Sequence, residues 1–393
     1  MTFFQSLSAA GFAATAISYG PARMGFGLFV PEFRSTFSMS DTGVGLVSSL
    51  GFGGFFVGLL AAQVLLLRVG PAVPVLVGLA AATLGLGIVA LAPGVGVLAA
   101  GVAVAASSAG FAWTPFNDAV HRKIREADRQ TALSEISTGT GIGVSLAGAT
   151  ALAMVLLGFD WRYGWGVFAG ASALAFAGNW AALRHVDKAP PTGPDAGWRD
   201  LLHRPAIPLF ALAFVYGVTS AVYLSFAADR FAQQGVAGLP GGATPAILFI
   251  TYGLCGLAGL FTGGARDAIG LPWLLRLLLG ASAGSLALAA LLPGSWVGLL
   301  LSAGLQGVNV MMTSAVLAFW SERLFPALPS FGFTAALLAT AAGNILGPAL
   351  AGLASGTAGA QAMFLGTAAI PLAAAALVRA HCVVDRPQHA STT

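Results

Sequence analysis

The chain has 393 residues, of which 57% are hydrophobic and only 8% are charged. A soluble domain carries about 25% charged residues, so an ordinary soluble enzyme is excluded. The 53 glycines and 20 prolines lie within apolar runs rather than in polar spacers, which excludes a disordered chain and collagen. The composition therefore indicates a membrane protein with several spans. The net charge of +4 comes from basic loops that set orientation, so we expect no nucleic-acid partner.

Long apolar windows define the predicted spans, because a helix needs about 20 apolar residues to cross a hydrocarbon layer of roughly 30 Å. Twelve windows of this kind carry almost no charge. They run near 7–30, 43–67, 72–92, 95–119, 132–158, 163–184, 205–228, 243–265, 271–292, 296–320, 329–353 and 360–380. No Lys or Arg precedes the first window, so we expect it to stay as the first helix instead of being cleaved as a signal peptide.

The basic residues sort to one side of this arrangement. With both termini in the cytoplasm, 14 of the 18 Lys and Arg residues fall on the cytoplasmic side. The outer loops then hold only Arg34, Arg162 and Arg230, and Arg23 lies within a helix. Because cytoplasmic loops carry an excess of Lys and Arg, this sorting predicts an even number of spans with both termini inside.

A polar, proline-rich stretch, Asp187 to Asp195, separates six windows from six and cannot continue a helix. We therefore divide the chain into a first bundle (1–186, the first half), a cytoplasmic linker (187–204), a second bundle (205–380, the second half) and a cytoplasmic tail (381–393). The two cysteines, Cys255 and Cys382, have no metal-ligand spacing, and we expect no metal, catalytic residue or cofactor.

The two halves contain a weak internal repeat. Corresponding residues lie in corresponding windows, at an offset that drifts slowly from 197 to 204. The matched residues are Tyr19-Gly20 with Tyr216-Gly217, Gly53 and Gly70 with Gly253 and Gly270, and Gly139, Gly143 and Gly148 with Gly343, Gly347 and Gly352. The predicted fold is thus an all-α polytopic membrane protein of twelve transmembrane helices, in two six-helix bundles related by pseudo-twofold symmetry.

Two local motifs resemble those of the major facilitator superfamily. The loop from Gly263 to Gly270 resembles the family's G-x-x-x-D-x-x-G signature, with Asp267 at the acidic position. The corresponding stretch of the first half keeps the final glycine, Gly70, but has Leu67 where the acid belongs. The resemblance implies that Asp267, Gly270 and Gly70 take part in conformational switching.

Further residues extend the resemblance over the whole chain. The run from Gly343 to Gly352 is similar to a glycine-proline pattern of family antiporters, and the Trp161-Arg162 pair also recurs in the superfamily. Arg23 together with Pro31 resembles a bacterial branch, the YbfB/YjiJ-like transporters. From this resemblance we expect a monomeric secondary transporter of the bacterial inner membrane that moves a small-molecule substrate by alternating access. Ala103 replaces the helix-four arginine of many proton-coupled members, so the coupling ion stays open.

Arg23 is the most informative residue, because a charged side chain inside a membrane helix costs at least ~2.5 kcal/mol. It shares one face of the first helix with Thr15, Tyr19 and Phe26. One interpretation is a structural ion pair or hydrogen bonds to carbonyls, and the other is a ligand for a substrate anion or carboxylate, which a guanidinium fits bidentately. Gly20-Pro21 predicts a kink beside it.

Other polar side chains at membrane depth complete the predicted substrate site. At the repeat offset, helix seven presents an equivalent face of Tyr216, Ser220 and Tyr223. Helix four contributes Trp113 and Asn117, followed by an expected Asp118–Arg122 ion pair. Asn344, in the middle of helix eleven, also needs a hydrogen-bond partner but is not included among the site residues. Helix ten contributes Gln306, Asn309 and Thr313. Helix-to-helix hydrogen bonding and core packing remain the alternatives for each of these residues.

Functions other than secondary transport have less support in the sequence. A non-transporting receptor or sensor remains an alternative. An intramembrane serine hydrolase is suggested by the G-x-S-x-G pattern around Ser282, but a serine nucleophile needs a base within hydrogen-bond reach. All five histidines lie in loops or at helix ends, so we expect none of them to reach Ser282 as that base. An ATP-driven pump is excluded for this chain by the absence of a G-x-x-x-x-G-K-[ST] loop. The sequence therefore favours a secondary transporter for a small organic solute, with an anionic group as the partner of Arg23.

The charge sorting predicts that both termini are cytoplasmic. A cysteine introduced near Ser391 should not react with a membrane-impermeant thiol reagent in intact cells, and should react after the cells are opened. Labelling from outside in intact cells would contradict the twelve-helix arrangement.

Overall fold

Sixteen α-helices make up the computed structural model, which describes residues 3–184, 204–325, 329–378 and 383. Those of the first half are α1 (Phe3–Tyr19), α2 (Pro21–Leu28), α3 (Val30–Phe37), α4 (Asp41–Val69), α5 (Ala72–Ala90), α6 (Val95–Ser107), α7 (Trp113–Lys123), α8 (Glu126–Leu157) and α9 (Trp161–Leu183). Those of the second half are α10 (Ile207–Gln234), α11 (Ala243–Gly256), α12 (Thr262–Ile269), α13 (Leu271–Leu291), α14 (Trp296–Leu324), α15 (Pro329–Ala358) and α16 (Ala360–Leu377). The predicted linker 187–204 and tail 381–393 lie outside the described residues, except for Arg204 and Val383.

The described residues contain 11 helical segments that are long and apolar enough to cross a membrane. Their bounds agree within a few residues with the second to twelfth predicted windows, which confirms a polytopic all-α fold. Two of these segments contain a 3-10 turn, Ser108–Phe111 between α6 and α7 and Leu257–Phe261 between α11 and α12. The first predicted window is divided into α1 and α2, of 17 and 8 residues, so the count of twelve spans stays a prediction.

The predicted kink in the first helix is confirmed. α1 ends at Tyr19 and α2 begins at Pro21, because proline lacks the amide that would continue the hydrogen-bond ladder. The break leaves neighbouring backbone groups paired, since the Gly20 amide donates to the Ala16 carbonyl at 3.0 Å and the Met24 amide donates to the Gly20 carbonyl at 3.0 Å. The chain therefore changes direction just before Arg23 without exposing its backbone.

Two helix pairs, α4 with α15 and α8 with α11, make the most extensive contacts between the first half and the second. Glycines allow the backbones to touch: a β-carbon at Gly45 would overlap the Pro348 carbonyl oxygen, and one at Gly253 would overlap the Gly141 carbonyl oxygen. Serine hydroxyls add hydrogen bonds across the same contacts. Ser49 Oγ donates to the Ile345 carbonyl at 2.6 Å, and Ser145 Oγ donates to the Ile250 carbonyl at 3.2 Å.

The repeated glycines make equivalent contacts in the two halves. In α8, Gly143 packs against α1 and Gly148 packs against α11; in α15, Gly347 packs against α10 and Gly352 packs against α4. Each of these helices therefore approaches one helix of its own half and one helix of the other half. This correspondence is what pseudo-twofold symmetry requires of the pairs α1/α10, α4/α11 and α8/α15.

The close approach of α4 to α15 predicts the effect of adding one methyl group. Gly45→Ala should lower stability by about 1 to 3 kcal/mol, because the new β-carbon displaces the Pro348 backbone. Gly53→Ala on the same helix is the matched control, since a β-carbon there meets no atom within 4 Å. Thermal unfolding of the purified variants measures both effects. Equal melting temperatures would contradict the close approach.

Candidate functional site

The Arg23 side chain lies between the two halves, surrounded by aromatic rings. Its guanidinium carbon is 4.1 Å from the Phe55 ring centre, 5.4 Å from the Tyr19 ring centre and 5.8 Å from the Phe52 ring centre. A cation over an aromatic face is stabilised by about 0.5 to 2 kcal/mol, depending on how far it is desolvated. These rings offset part of the cost of placing the charge at membrane depth.

Asn344 of α15 connects Arg23 to the second half. With its amide oriented to satisfy both neighbours, Asn344 Oδ1 accepts from Arg23 Nη2 at 3.0 Å and Nδ2 donates to the Gly217 carbonyl at 2.8 Å. Asn344 is 1% exposed, so few alternative partners are within its reach. The first of these bonds links α2 of the first half to α15 of the second, and the second bond links α15 to α10.

The charge of Arg23 is not neutralised within the described part of the chain. No carboxylate of the described residues forms an ion pair with it, and its buried Nε has no hydrogen-bond partner. A guanidinium has five N–H donors, and an unpaired buried donor is costly. Arg23 therefore has unused capacity for a ligand.

Further unpaired polar groups lie in the second half. The Tyr252 hydroxyl on α11 and both polar atoms of the Gln306 amide on α14 are buried without hydrogen-bond partners. The two helices cross closely at this level, since a β-carbon at Gly307 would overlap the Tyr252 carbonyl oxygen. Tyr252 is also within electrostatic range of Arg23 and Tyr216. These groups could bind a polar part of a solute.

The predicted face of helix seven meets α14. Tyr216 Oη donates to the Val310 carbonyl at 3.2 Å, and Tyr223 Oη lies 3.0 Å from Ser302 Oγ. Ser220 Oγ donates to the Tyr216 carbonyl of its own helix at 2.7 Å. Of these three residues, Tyr216 is within electrostatic range of Arg23, while Tyr223 is fully buried inside the second half.

Phe26 completes the Arg23 side of the interface. Its ring stacks on Phe33 with centres 5.5 Å apart, and it lines a small cavity together with Arg23, Phe52 and Leu224. In this conformation the cavity has room for about one water molecule. Thr15 faces away from it, because its hydroxyl donates to the Ile136 carbonyl of α8 at 2.7 Å.

The residues predicted on helix four lie further toward the ends of the helices. Trp113 packs between apolar clusters of both halves, and Asn117 is half-buried. The expected ion pair is confirmed, with Arg122 Nε 2.5 Å from Asp118 Oδ2. On α14, Thr313 Oγ1 donates to Asn309 Oδ1 at 3.2 Å, so these two side chains satisfy each other.

Two of the residues that the resemblance links to conformational switching, Gly70 and Gly270, directly follow the ends of α4 and α12. Gly70 and Gly270 have φ angles of 75° and 80°, which a side chain rarely adopts, and each amide caps the preceding helix. Asp267 is exposed and pairs with the adjacent Arg266 at 2.6 Å. The Arg266 guanidinium in turn lies over the Phe319 ring of α14 at 4.9 Å.

Sequence reasoning missed Tyr252 as a site residue and left Asn344 outside the predicted set. The repeat contains the signal for Tyr252, because at the offset of 200 it corresponds to Phe52, which also faces Arg23. Ser282, the candidate nucleophile, is buried in α13, and its hydroxyl has no hydrogen-bond partner among the described residues. The general base that a serine nucleophile needs is not beside it.

These features define a multi-pass α-helical membrane protein with a polar site between two pseudo-symmetric bundles. The chain belongs to the Major Facilitator Superfamily, whose sequence model matches residues 11–266. It is therefore an integral membrane transporter for small molecules that lies in a lipid bilayer. The narrower YbfB/YjiJ-like placement stays a prediction.

Solved transporters share the fold at low sequence identity. A bacterial homologue of the human lysosomal transporter Spinster, in an inward-facing and unoccupied conformation, matches with a TM-score of 0.77 and 16% identity, over 99% of this chain and 100% of that one. A mutant of the nucleoside transporter NupG matches with a TM-score of 0.74 and 15% identity, over 95% of this chain and 98% of that one. A search of curated protein sequences gave no match. At these identities the likeness shows the fold alone.

Proposed function

We propose that this transporter moves a small organic solute with an anionic group by alternating access, and that Arg23 binds that group. The observation that carries the proposal is the unpaired Nε of Arg23, between two bundles whose described residues offer the guanidinium no carboxylate. A structural arginine at membrane depth would be expected to pair with an acid. Here the second half provides a neutral amide, which accepts one hydrogen bond and leaves the charge uncompensated.

The arrangement also couples binding to motion. A carboxylate on Arg23 would replace Asn344 Oδ1 as the acceptor, because a charge-assisted bond is roughly twice as strong as a bond to a neutral group. Replacement removes one of the hydrogen bonds that join the halves. An anionic solute thereby favours the rearrangement that alternating access requires.

The remaining site residues provide the rest of the binding surface. Tyr19, Phe26 and Phe52 offer apolar faces on the first half, and Tyr216, Tyr252 and Gln306 lie on the second. Ser220, Tyr223, Asn309 and Thr313 are paired inside the second half and support that surface in this conformation. Trp113 and Asn117 remain proposed substrate-binding residues, nearer the predicted cytoplasmic ends of the helices.

Replacement of Arg23 tests the proposal. Purified protein is screened by thermal shift against small carboxylic acids and their neutral amides, and we expect stabilisation by an acid but not by its amide. Arg23→Gln should weaken that acid by about 1.5 to 3 kcal/mol, or roughly 10- to 150-fold, and Arg23→Lys should recover part of the loss. Folded Arg23→Gln protein that binds the acid as tightly as the parent would eliminate the role.

Two controls separate binding from structure. Arg276→Gln replaces an arginine that also stacks on a ring and donates to a carbonyl, but lies away from the site, so it should leave acid binding unchanged. Asn344→Ala, alone and combined with Arg23→Gln, forms a double-mutant cycle. If Arg23 served only to hold Asn344, each single variant and the double variant would lose about the same stability. The preference for acids would then persist in all three.

Asp267 is proposed to act in conformational switching, not in solute contact. Its only described ion-pair partner is the neighbouring Arg266, so its carboxylate is available to a different partner in another conformation. Asp267→Asn should shift the populations of inward-open and outward-open states, as measured by spin-label distances across the cytoplasmic ends, without changing which solute binds. Asp128→Asn, an exposed acid paired with Arg125, is the control and should shift neither. A changed solute preference at unchanged populations would contradict the assignment.

A further inference from the structure

A network of charged side chains closes the interface between the halves at the α3 end of the molecule, opposite the chain's N-terminus. Arg34 of α3 lies 2.9 Å from Asp229 of α10 through its Nε, and its Nη2 bonds to Asp41 at the start of α4. Asp41 in turn accepts from Ser355 Oγ of α15 at 2.6 Å. Two contacts of this network, Arg34–Asp229 and Asp41–Ser355, cross from one half to the other.

The network has more acids than bases. Two carboxylates, Asp41 and Asp229, bond to the Arg34 guanidinium, whose Nη1 donates to the Met39 carbonyl, and a third acid, Glu32, is within electrostatic range of Asp229. Gln233 donates to Asp229 at 2.8 Å but adds no charge. Glu32 is therefore the acid without a basic partner.

Glu32 is enclosed where the halves meet. Its Oε2 is buried without a hydrogen-bond partner, and its Oε1 faces Gly242 at the start of α11 in the second half. Asp229 on α10 acts on Glu32 electrostatically, and Asp229 is itself bonded to Arg34, which also bonds to Asp41. Residues 150–157 of α8 and 243–250 of α11 contain no titratable side chain. Burial, reinforced by the negative charge of Asp229, raises the pKa of Glu32 to about 7.

We propose that Glu32 is a proton-binding residue whose protonation holds the two halves together at the α3 end. Neutral Glu32 removes a negative charge that repels Asp229 and leaves Arg34 bound to both aspartates. Ionised Glu32 is a largely buried carboxylate with one oxygen, Oε2, that has no hydrogen-bond partner, and separation of the halves restores its hydration. The proposal concerns the opening of one side and does not depend on which solute Arg23 binds.

The sign of the pH dependence follows from linkage. Burial raises the pKa of Glu32 to about 7 in the closed arrangement, and hydration on opening returns it toward its ordinary value of 4.5. Protons therefore favour closure most fully below pH 4.5, and this contribution is lost as the pH rises through 7. The closed-to-open ratio should change by at most roughly 300-fold across that window, the factor that corresponds to such a difference in pKa.

A distance measurement across the α3 end tests the proposal in the absence of any solute. Leu91 and Leu291 are 82% and 58% exposed, lie on different halves and are not part of the network. Spin labels on cysteines at these positions, in a Cys255→Ser, Cys382→Ser background, report the separation by pulsed dipolar spectroscopy between pH 4 and 8.5. The short distance should gain population as the pH falls.

The variants identify the titrating group. Glu32→Gln should hold the short distance at every pH, because the amide mimics the protonated acid, while Asp160→Asn, which changes an exposed acid at the same end, should titrate as the parent does. A Glu32→Gln protein that keeps the parental pH response would overturn the proposal. A Glu32→Gln protein that shows the long distance at every pH would also overturn it. Parent protein whose distances do not change with pH would overturn it without any variant.

Discussion

Contact between glycine backbones across the halves is the constraint on which the other features depend. In lipid there is little hydrophobic gain from bringing helices together, so association depends on close packing and interhelical hydrogen bonds. The pairs α4/α15 and α8/α11 achieve both, with Gly45 and Gly253 against carbonyl oxygens and Ser49 and Ser145 donating across the contact.

This packing explains how a charge persists between the bundles. The close helices bring Phe52 and Phe55 of α4 and Asn344 of α15 to the same level, where they surround Arg23 from two directions. Aromatic faces and one amide stabilise the guanidinium without neutralising it. A fully paired arginine would be more stable, but it would have no donor left for a solute.

The sequence predicted what depends on local periodicity or composition. Span bounds follow from hydropathy, the break at Pro21 follows from the missing amide, and the Asp118–Arg122 pair follows from helical spacing. The Arg34–Asp229 contact joins residues almost 200 positions apart, and no periodicity in one sequence relates them. Helical spacing predicts that Tyr216, Ser220 and Tyr223 share a face of helix seven, but spacing alone does not say which neighbour that face meets. In the structure both tyrosines bond to α14.

The break at Gly20 has a mechanical consequence. From Pro21 to Phe37 the chain continues without a loop, since the Phe29 amide bonds back to Gly25 and Phe26 and the Phe33 amide bonds to Phe29. This segment, about 25 Å long at 1.5 Å per residue, carries Arg23 near one end and Arg34 near the other. Arg34 is 14 residues from Gly20 and Arg23 only three, so any rotation of this segment about the break would displace Arg34 further than Arg23.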